Sequence, residues 1–317
     1  KPSEYPQAYD PPQGYVVSAN QQPKDPRVDA RYLGWDWPSP WRAMRINEML
    51  RADSAVTPDA MRRMQTTPVS AQTKHFLPAL LTAAAAGRDS SLSSALLLLR
   101  DWDGTFDAEN TAAVLYEAAL ADLAARTWDE LSAGGNGAAN RARRVDTPQN
   151  VILLELMQDP ENPWWDDQRT PDVRERRDDI IRASLSAAYR TLVRRLGQPG
   201  DTWRWGTNRR ASVRHLGGIA ALGRPSVPVT GGPGSVSPSS GDGNHGASWR
   251  MVVELGDEVR AWGVYPGGQS GNPISPRYTD LLGKWSAGNL DSLPFPRSAG
   301  DLPAARTSSR LHFRKAP

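Results

Sequence analysis

At 317 residues, with 38 Lys and Arg against 35 Asp and Glu and a formal net charge of +3, the chain is no polycation; twelve tryptophans within a 38% hydrophobic composition exclude wholesale disorder. It contains no cysteine, so disulfides, thiolate zinc sites and a cysteine nucleophile are excluded together. The longest apolar runs, Leu80–Ala86 and Leu96–Leu99, fall far short of the roughly 18 residues a membrane span needs and suit buried helices instead.

Residues 1 to about 37 are rich in Pro, Tyr and Trp. The opening Lys1-Pro2-Ser3-Glu4 lacks an initiator methionine, which leads us to expect a processed or trimmed chain. One short strand is predicted here, Gly14-Tyr15-Val16-Val17-Ser18, ending in the polar turn Asn20-Gln21-Gln22-Pro23.

The middle zone, about 38–222, reads as helical. Met44, Ile46, Met49 and Leu50 form a stripe after Pro40, and Thr57-Pro58-Asp59 supplies a cap, a proline at the first helical position and an early acid. Asp107 is expected to cap a helix carrying Ala112, Leu115, Tyr116, Ala119 and Leu123. Asp172 is expected to open another, with Val173, Ile180, Ile181, Leu185, Ala188, Leu192 and Leu196 inward, ended by Gly197. The Arg174–Arg195 basic cluster on it is interleaved with acids, a solvated helix face and not a nucleic-acid groove. Thr202-Trp203-Arg204-Trp205-Gly206 then begins a turn-rich stretch.

A Gly/Ser/Pro-rich loop, 223–247, introduces the last zone. Two strands within 248–265 follow, Ser248–Leu255 with alternating Trp249, Met251 and Val253, and Val259–Tyr265, joined by a tight turn at Gly256-Asp257-Glu258. The loop Pro266–Pro273 comes next, its glycines permitting close backbone approach.

Conventional site signatures are absent. His75, His215, His245 and His312 lie far apart, without metal-ligand spacing. Gly268-Gln269-Ser270-Gly271 misses a nucleophile elbow because Asn272 stands where the last glycine belongs. From the residues alone, Asn20 has two readings: a local turn, the commoner role of a strand-ending Asn, or a side-chain N–H aimed at a developing oxyanion. The glycine loop is equally open, as a surface turn or as the wall of a cleft.

Two longer stretches carry more information. Tyr15-Val16-Val17-Ser18-Ala19-Asn20-Gln21-Gln22-Pro23, then Tyr32-Leu33-Gly34 and Trp41-Arg42-Ala43-Met44-Arg45-Ile46, resembles the penicillin acylase family at its oxyanion-hole strand. Ala247–Leu255 with Gly263–Pro273, continued by Ser275–Asp280 and Trp285–Gly288, closely resembles that family's C-terminal hairpin and glycine loop. Asp101-Trp102-Asp103-Gly104 and Trp203-Arg204-Trp205-Gly206 match weaker helical-region motifs, so the likeness runs in order from about Pro11 to Gly288.

The resemblance implies an α+β fold: part of the αββα sandwich of N-terminal-nucleophile hydrolases, with strand segments 14–19 and 248–265 and a large helical insertion. The whole chain, 1–317, would be the C-terminal part of the acylase catalytic domain. It also implies roles. Asn20 is the oxyanion-hole Asn, Arg42 supports the nucleophile and substrate region, and Gly268 and Ser270 face the same cleft as Asn20. The reaction implied is hydrolysis of a small acyl amide by an N-terminal serine whose α-amine, of pKa about 7.7–8.0, serves as general base. Lys1 stands at the start instead, so the resemblance places the nucleophile upstream, makes N-terminal acylase segments (an alpha chain and the beginning of the beta chain) the partners, and leaves this chain inactive alone. Autoproteolytic maturation and export to the periplasm or exterior are implied too. No organic cofactor is expected; Asp29 stands near a position that holds a structural calcium in the family, and it reads equally well as an ordinary loop Asp before Tyr32. Arg209 departs from the pattern, standing where relatives carry a His. The rival reading is a non-catalytic paralogue or interaction module on the same scaffold.

Overall fold

The computed structural model describes residues 4–132, 147–215, 217–237, 246–301 and 311–315; His245 and part of the low-complexity loop lie outside the described residues. The chain divides into two compact units. One comprises Lys1–Ala55 and Met64–Gly246, the other Val56–Arg63 and Ala247–Pro317.

The larger unit is helical. Its elements are α1 (Trp41–Ala52), the end of α2 (Pro58–Gln65), α3 (Thr73–Ala85), α4 (Ser90–Leu99), α5 (Ala112–Thr127), α6 (Asp129–Ser132), α7 (Asn150–Leu156), α8 (Arg177–Leu196) and α9 (Trp205–Asn208). Helices α3, α4, α5 and α8 pack on one another. From α5, Ala113, Leu115, Tyr116, Ala119 and Leu123 are buried, and from α8 Ile180, Ile181, Leu185 and Leu192. Each large aliphatic side chain buried in this way contributes about 1.5–3 kcal/mol. Trp165, Trp203 and Trp205 are fully enclosed. Their indole N–H groups donate to the carbonyls of Asp159 (2.8 Å), Gly197 (3.0 Å) and Gly231 (2.9 Å), so none carries an unsatisfied buried donor.

Helix boundaries follow side-chain chemistry, not always at the expected residue. Thr57 caps α2, its Oγ1 accepting from Ala60 N at 3.2 Å. Asp107 does not cap α5; Asn110 does, its Oδ1 accepting from Ala113 N at 2.9 Å. Nor does Asp172 open α8. The loop ahead of that helix satisfies its own amides through carboxylates, Glu175 N on Asp166 Oδ1 (3.1 Å) and Asp167 N on Glu175 Oε2 (3.3 Å). The helix therefore starts at Arg177, with Asp179 accepting from Arg176 N at 3.1 Å, and Val173 is left 59% exposed. Gly197 ends α8 at φ +80°, as expected. On α1 the buried face is Trp41, Ala43 and Leu50, whereas Met44 points out.

Strand expectations needed more correction. Tyr15–Ser18 forms no strand, because no partner among the described residues pairs with it. Conversely, residues divided between the helical zone and the low-complexity loop form a hairpin, β1 (Arg210–Val213) antiparallel to β2 (Arg224–Pro228). In the smaller unit, β3 (Arg250–Glu254), β4 (Arg260–Val264) and β5 (Asp291–Leu293) make an antiparallel sheet in that order, with α10 (Leu282–Ala287) between β4 and β5 in sequence. Glu254 pairs with Arg260, so the connection is Leu255–Val259, longer than the expected three-residue turn. The period-two pattern of β3 is real, but its inward face is Arg250 and Val252, not Met251 and Val253. Arg250 is drawn in by Trp285, whose ring lies 5.9 Å from the guanidinium. Arg62, from the start of α2, stacks over Trp262 of β4 at 4.4 Å.

Candidate active site

The segment before α1 is held by side-chain hydrogen bonds, not by a sheet. Asn20 has φ +66°, in the left-handed region that Asn tolerates better than most residues with a Cβ. Three bonds hold the turn around it. The carboxamide of Gln21 accepts from Ala19 N at 2.7 Å and donates to Val17 O at 3.3 Å. From α1, Arg42 Nη2 donates to Ala19 O at 2.8 Å.

The same Arg42 nitrogen donates to Asn20 Oδ1 at 2.7 Å. This contact fixes which way the amide faces: the oxygen turns to the guanidinium, and the Nδ2 donors point away into the open, where no described residue accepts from them. Tyr15 adds a brace, its hydroxyl donating to Asn47 Oδ1 at 3.1 Å, while Asn47 Nδ2 returns to Ala43 O of the same helix at 2.8 Å. Asn20 and Arg42, both singled out in the sequence, are therefore brought into direct contact. Gln21 and Asn47 had no role assigned to them beforehand. The signal for Gln21 was present in the run of amides after the strand-like segment; for Asn47 there was none, since its partner Tyr15 lies 32 residues away in sequence.

Gly268 and Ser270 belong to the smaller unit. A Cβ on Gly268 would collide with the carbonyl oxygen of Arg277 and come within 2.8 Å of Asp280 Oδ1. The close backbone approach that the glycine loop anticipates is thus met by the chain's own 277–280 segment. Ser270 N donates to Arg277 O at 3.0 Å, Leu281 N to Gly267 O at 2.8 Å, and Ser270 Oγ accepts from Asn272 N at 3.1 Å. Ser270 keeps its hydroxyl proton and one oxygen lone pair for another partner.

Asp29, the candidate calcium ligand, is already engaged. Arg31 Nε donates to it at 2.8 Å, and that bond holds the carboxyl down to about 2. Calcium takes about six to eight oxygens; one carboxylate paired to a guanidinium does not supply them, and among the described residues no group of three His, Asp or Glu side chains gathers. The described residues alone do not complete such a site. Arg209 ion-pairs with Glu117 of α5 and lies 5.2 Å over the Trp205 ring, a structural pairing inside the helical unit. No helix among the described residues is long and apolar enough to cross a membrane.

The model of the penicillin amidase family matches residues 1–301. The chain is 28% identical to acyl-homoserine lactone acylase QuiP of Pseudomonas aeruginosa, over 92% of this chain and 38% of that protein. It is 30% identical to the penicillin acylase 2 proenzyme of a Pseudomonas species, over 89% of this chain and 36% of that protein. The chain thus spans well under half the length of these relatives. Among solved structures it resembles the thermostable penicillin G acylase from Alcaligenes faecalis, with a TM-score of 0.60 and 18% identity, over 98% of this chain and 59% of that one. That likeness places the helices and strands within the fold of the N-terminal-nucleophile hydrolases. With nearly its whole length matched, the chain belongs to the penicillin amidase family.

Proposed function

We propose that this chain supplies the oxyanion-stabilising half of an acyl-amide hydrolase. The observation that carries the reading is the Arg42–Asn20 contact at 2.7 Å. A carboxamide whose oxygen is bound to a guanidinium presents its N–H pair in a fixed direction, and a donor fixed before charge develops needs no reorganisation in the transition state. In the complete enzyme a serine at the start of a processed chain, lying upstream of this sequence, attacks the acyl carbonyl. Asn20 Nδ2 donates to the tetrahedral oxyanion, the amine departs from an acyl-enzyme, and water releases the acid. The 317 residues alone are expected to have no activity, because they lack that serine.

The N-terminal acylase segments are the partners in this reading, and maturation is by autoproteolysis; that one relative is named as a proenzyme supports a processed chain. The identity to the QuiP acylase supports an acyl-homoserine lactone as substrate, with a penicillin side-chain amide the next candidate; the compartment would be the periplasm or the exterior. In the complete enzyme, Asn20→Ala is expected to lower kcat by about 10²–10³-fold with a smaller change in KM. An unchanged kcat in a folded variant returns Asn20 to a turn, whereas no turnover by the complete wild-type protein favours the non-catalytic paralogue.

A further inference from the structure

The oxyanion reading needs Asn20 to be held, and Arg42 accounts for only part of that. A residue at φ +66° stands in a region where a side chain with a Cβ is uncommon, and a short exposed turn does not stay there without restraint. No ladder restrains it, since Tyr15–Ser18 has no strand partner among the described residues. Arg42 binds the outer side of the turn, at Ala19 O and Asn20 Oδ1. The other side, Ala19 N and Val17 O, is held by one side chain, that of Gln21.

We propose that Gln21 is a positioning residue for the reaction. Resting on the oxyanion role of Asn20, this reading gives the Gln21 carboxamide the task of closing the Val17–Asn20 turn from within. Its Oε1 takes the amide of Ala19 at 2.7 Å, and its Nε2 reaches the carbonyl of Val17 at 3.3 Å. One amide thus replaces two ladder bonds. The guanidinium then meets a turn already shaped to receive it, with the Asn20 donors aimed outward. Gln21 itself touches no substrate. Its effect passes through Asn20, so it belongs to the rate and not to binding.

The test is a double-mutant cycle in the complete enzyme, with acyl-homoserine lactone or acyl-p-nitroanilide hydrolysis as the assay and thermal unfolding measured alongside. Gln21→Ala is expected to lower kcat about tenfold, the scale of one or two lost hydrogen bonds, with KM changed by less than about twofold. In an Asn20→Ala background the same change should cost nothing further, because nothing remains to be positioned. Gln21→Glu should recover part of the loss, its carboxylate still accepting from Ala19 N but unable to donate to Val17 O. A loss of equal size in both backgrounds overturns the proposal. So does an unchanged kcat for Gln21→Ala when Asn20→Ala is severely impaired; the oxyanion reading then survives alone. If Asn20→Ala is itself fully active, both fall. Should Gln21→Ala fail to fold, Gln21→Met removes the same two bonds while keeping the side-chain length. Failure of both to fold assigns Gln21 to stability alone and also overturns the proposal.

Discussion

The helical core of the larger unit and the segment ahead of α1 solve the same problem by opposite means. Helices α3, α4, α5 and α8 bury contiguous apolar faces, with Phe76, Leu80, Leu115, Leu123, Ile181 and Leu185 sealed from solvent. The leading segment buries almost nothing: Tyr9 is 97% exposed, Trp35 83% and Tyr32 79%. It is shaped by directional polar bonds instead, with Gln21, Arg42, Asn47 and Tyr15 each committed to a named partner. Packing gives the core its stability. The polar bonds give the Asn20 turn an orientation, at little gain in free energy, because each replaces a bond to water.

The contrast breaks first if the tryptophans of the two regions prove equally important. Trp205→Ala removes a fully enclosed indole and its bond to Gly231 O, and is expected to cost about 3–5 kcal/mol in a denaturant titration. Trp35→Ala, at a ring 83% exposed, should stay within about 0.5 kcal/mol. Equal losses at the two sites would mean that the leading segment is packed after all.

Gly268 sharpens the comparison in the smaller unit, where shape again depends on backbone approach. A methyl group there meets Arg277 O and Asp280 Oδ1, so Gly268→Ala should destabilise this loop by about 1–3 kcal/mol. The expected signature is faster amide hydrogen exchange at Ser270 and Leu281, whose N–H groups bond across the loop. Unaltered exchange would show that the loop absorbs a side chain freely.

The smallest effect concerns charge inside the helical unit. Asp167 is buried and receives Arg169 at 2.6 Å and Arg126 at 3.1 Å; the hydrogen bond from Arg169 holds its carboxyl down to about 2, against an ordinary 3.8. A folded-state pKa below the unfolded one adds stability that is complete above about pH 4 and lost as pH falls toward 2. Unfolding free energy of the wild-type chain should fall over that window, and Asp167→Asn should flatten the fall. An identical acid limb in the two proteins would remove Asp167 from the ion-pair account. Glu130 works in the opposite sense, since burial raises its carboxyl.

Much of the helical unit was legible beforehand because helix formation is local. The recurrence of Leu115, Ala119 and Leu123, the Thr57 cap and the Gly197 stop are read from neighbours within a turn or two. Misplaced starts at Asp107 and Asp172 have one cause: several Asp, Glu and Asn side chains stood within reach of the first amides, and only the folded loop selected among them. Strands were read less well. A strand exists only with a partner, which the short run Tyr15–Ser18 does not supply, and the β1–β2 hairpin has too little apolar contrast to announce itself. The candidate site divides along the same line. Asn20 and Arg42 stood out in the sequence as members of a spaced motif.

Taken by itself, the sequence determined the helical segments, the absence of any thiol chemistry, and the resemblance that singled out Asn20, Arg42, Gly268 and Ser270. Only the tertiary structure decided that Arg42 turns the Asn20 amide by binding its oxygen, that Gln21 closes the turn behind it, and that the glycine of the loop makes room for the chain's own backbone at Arg277. The reason is physical. Apolar periodicity is a property of residues a few positions apart, whereas the direction of a carboxamide depends on donors and acceptors brought within about 3 Å by chain folding, and their spacing in sequence does not report that distance.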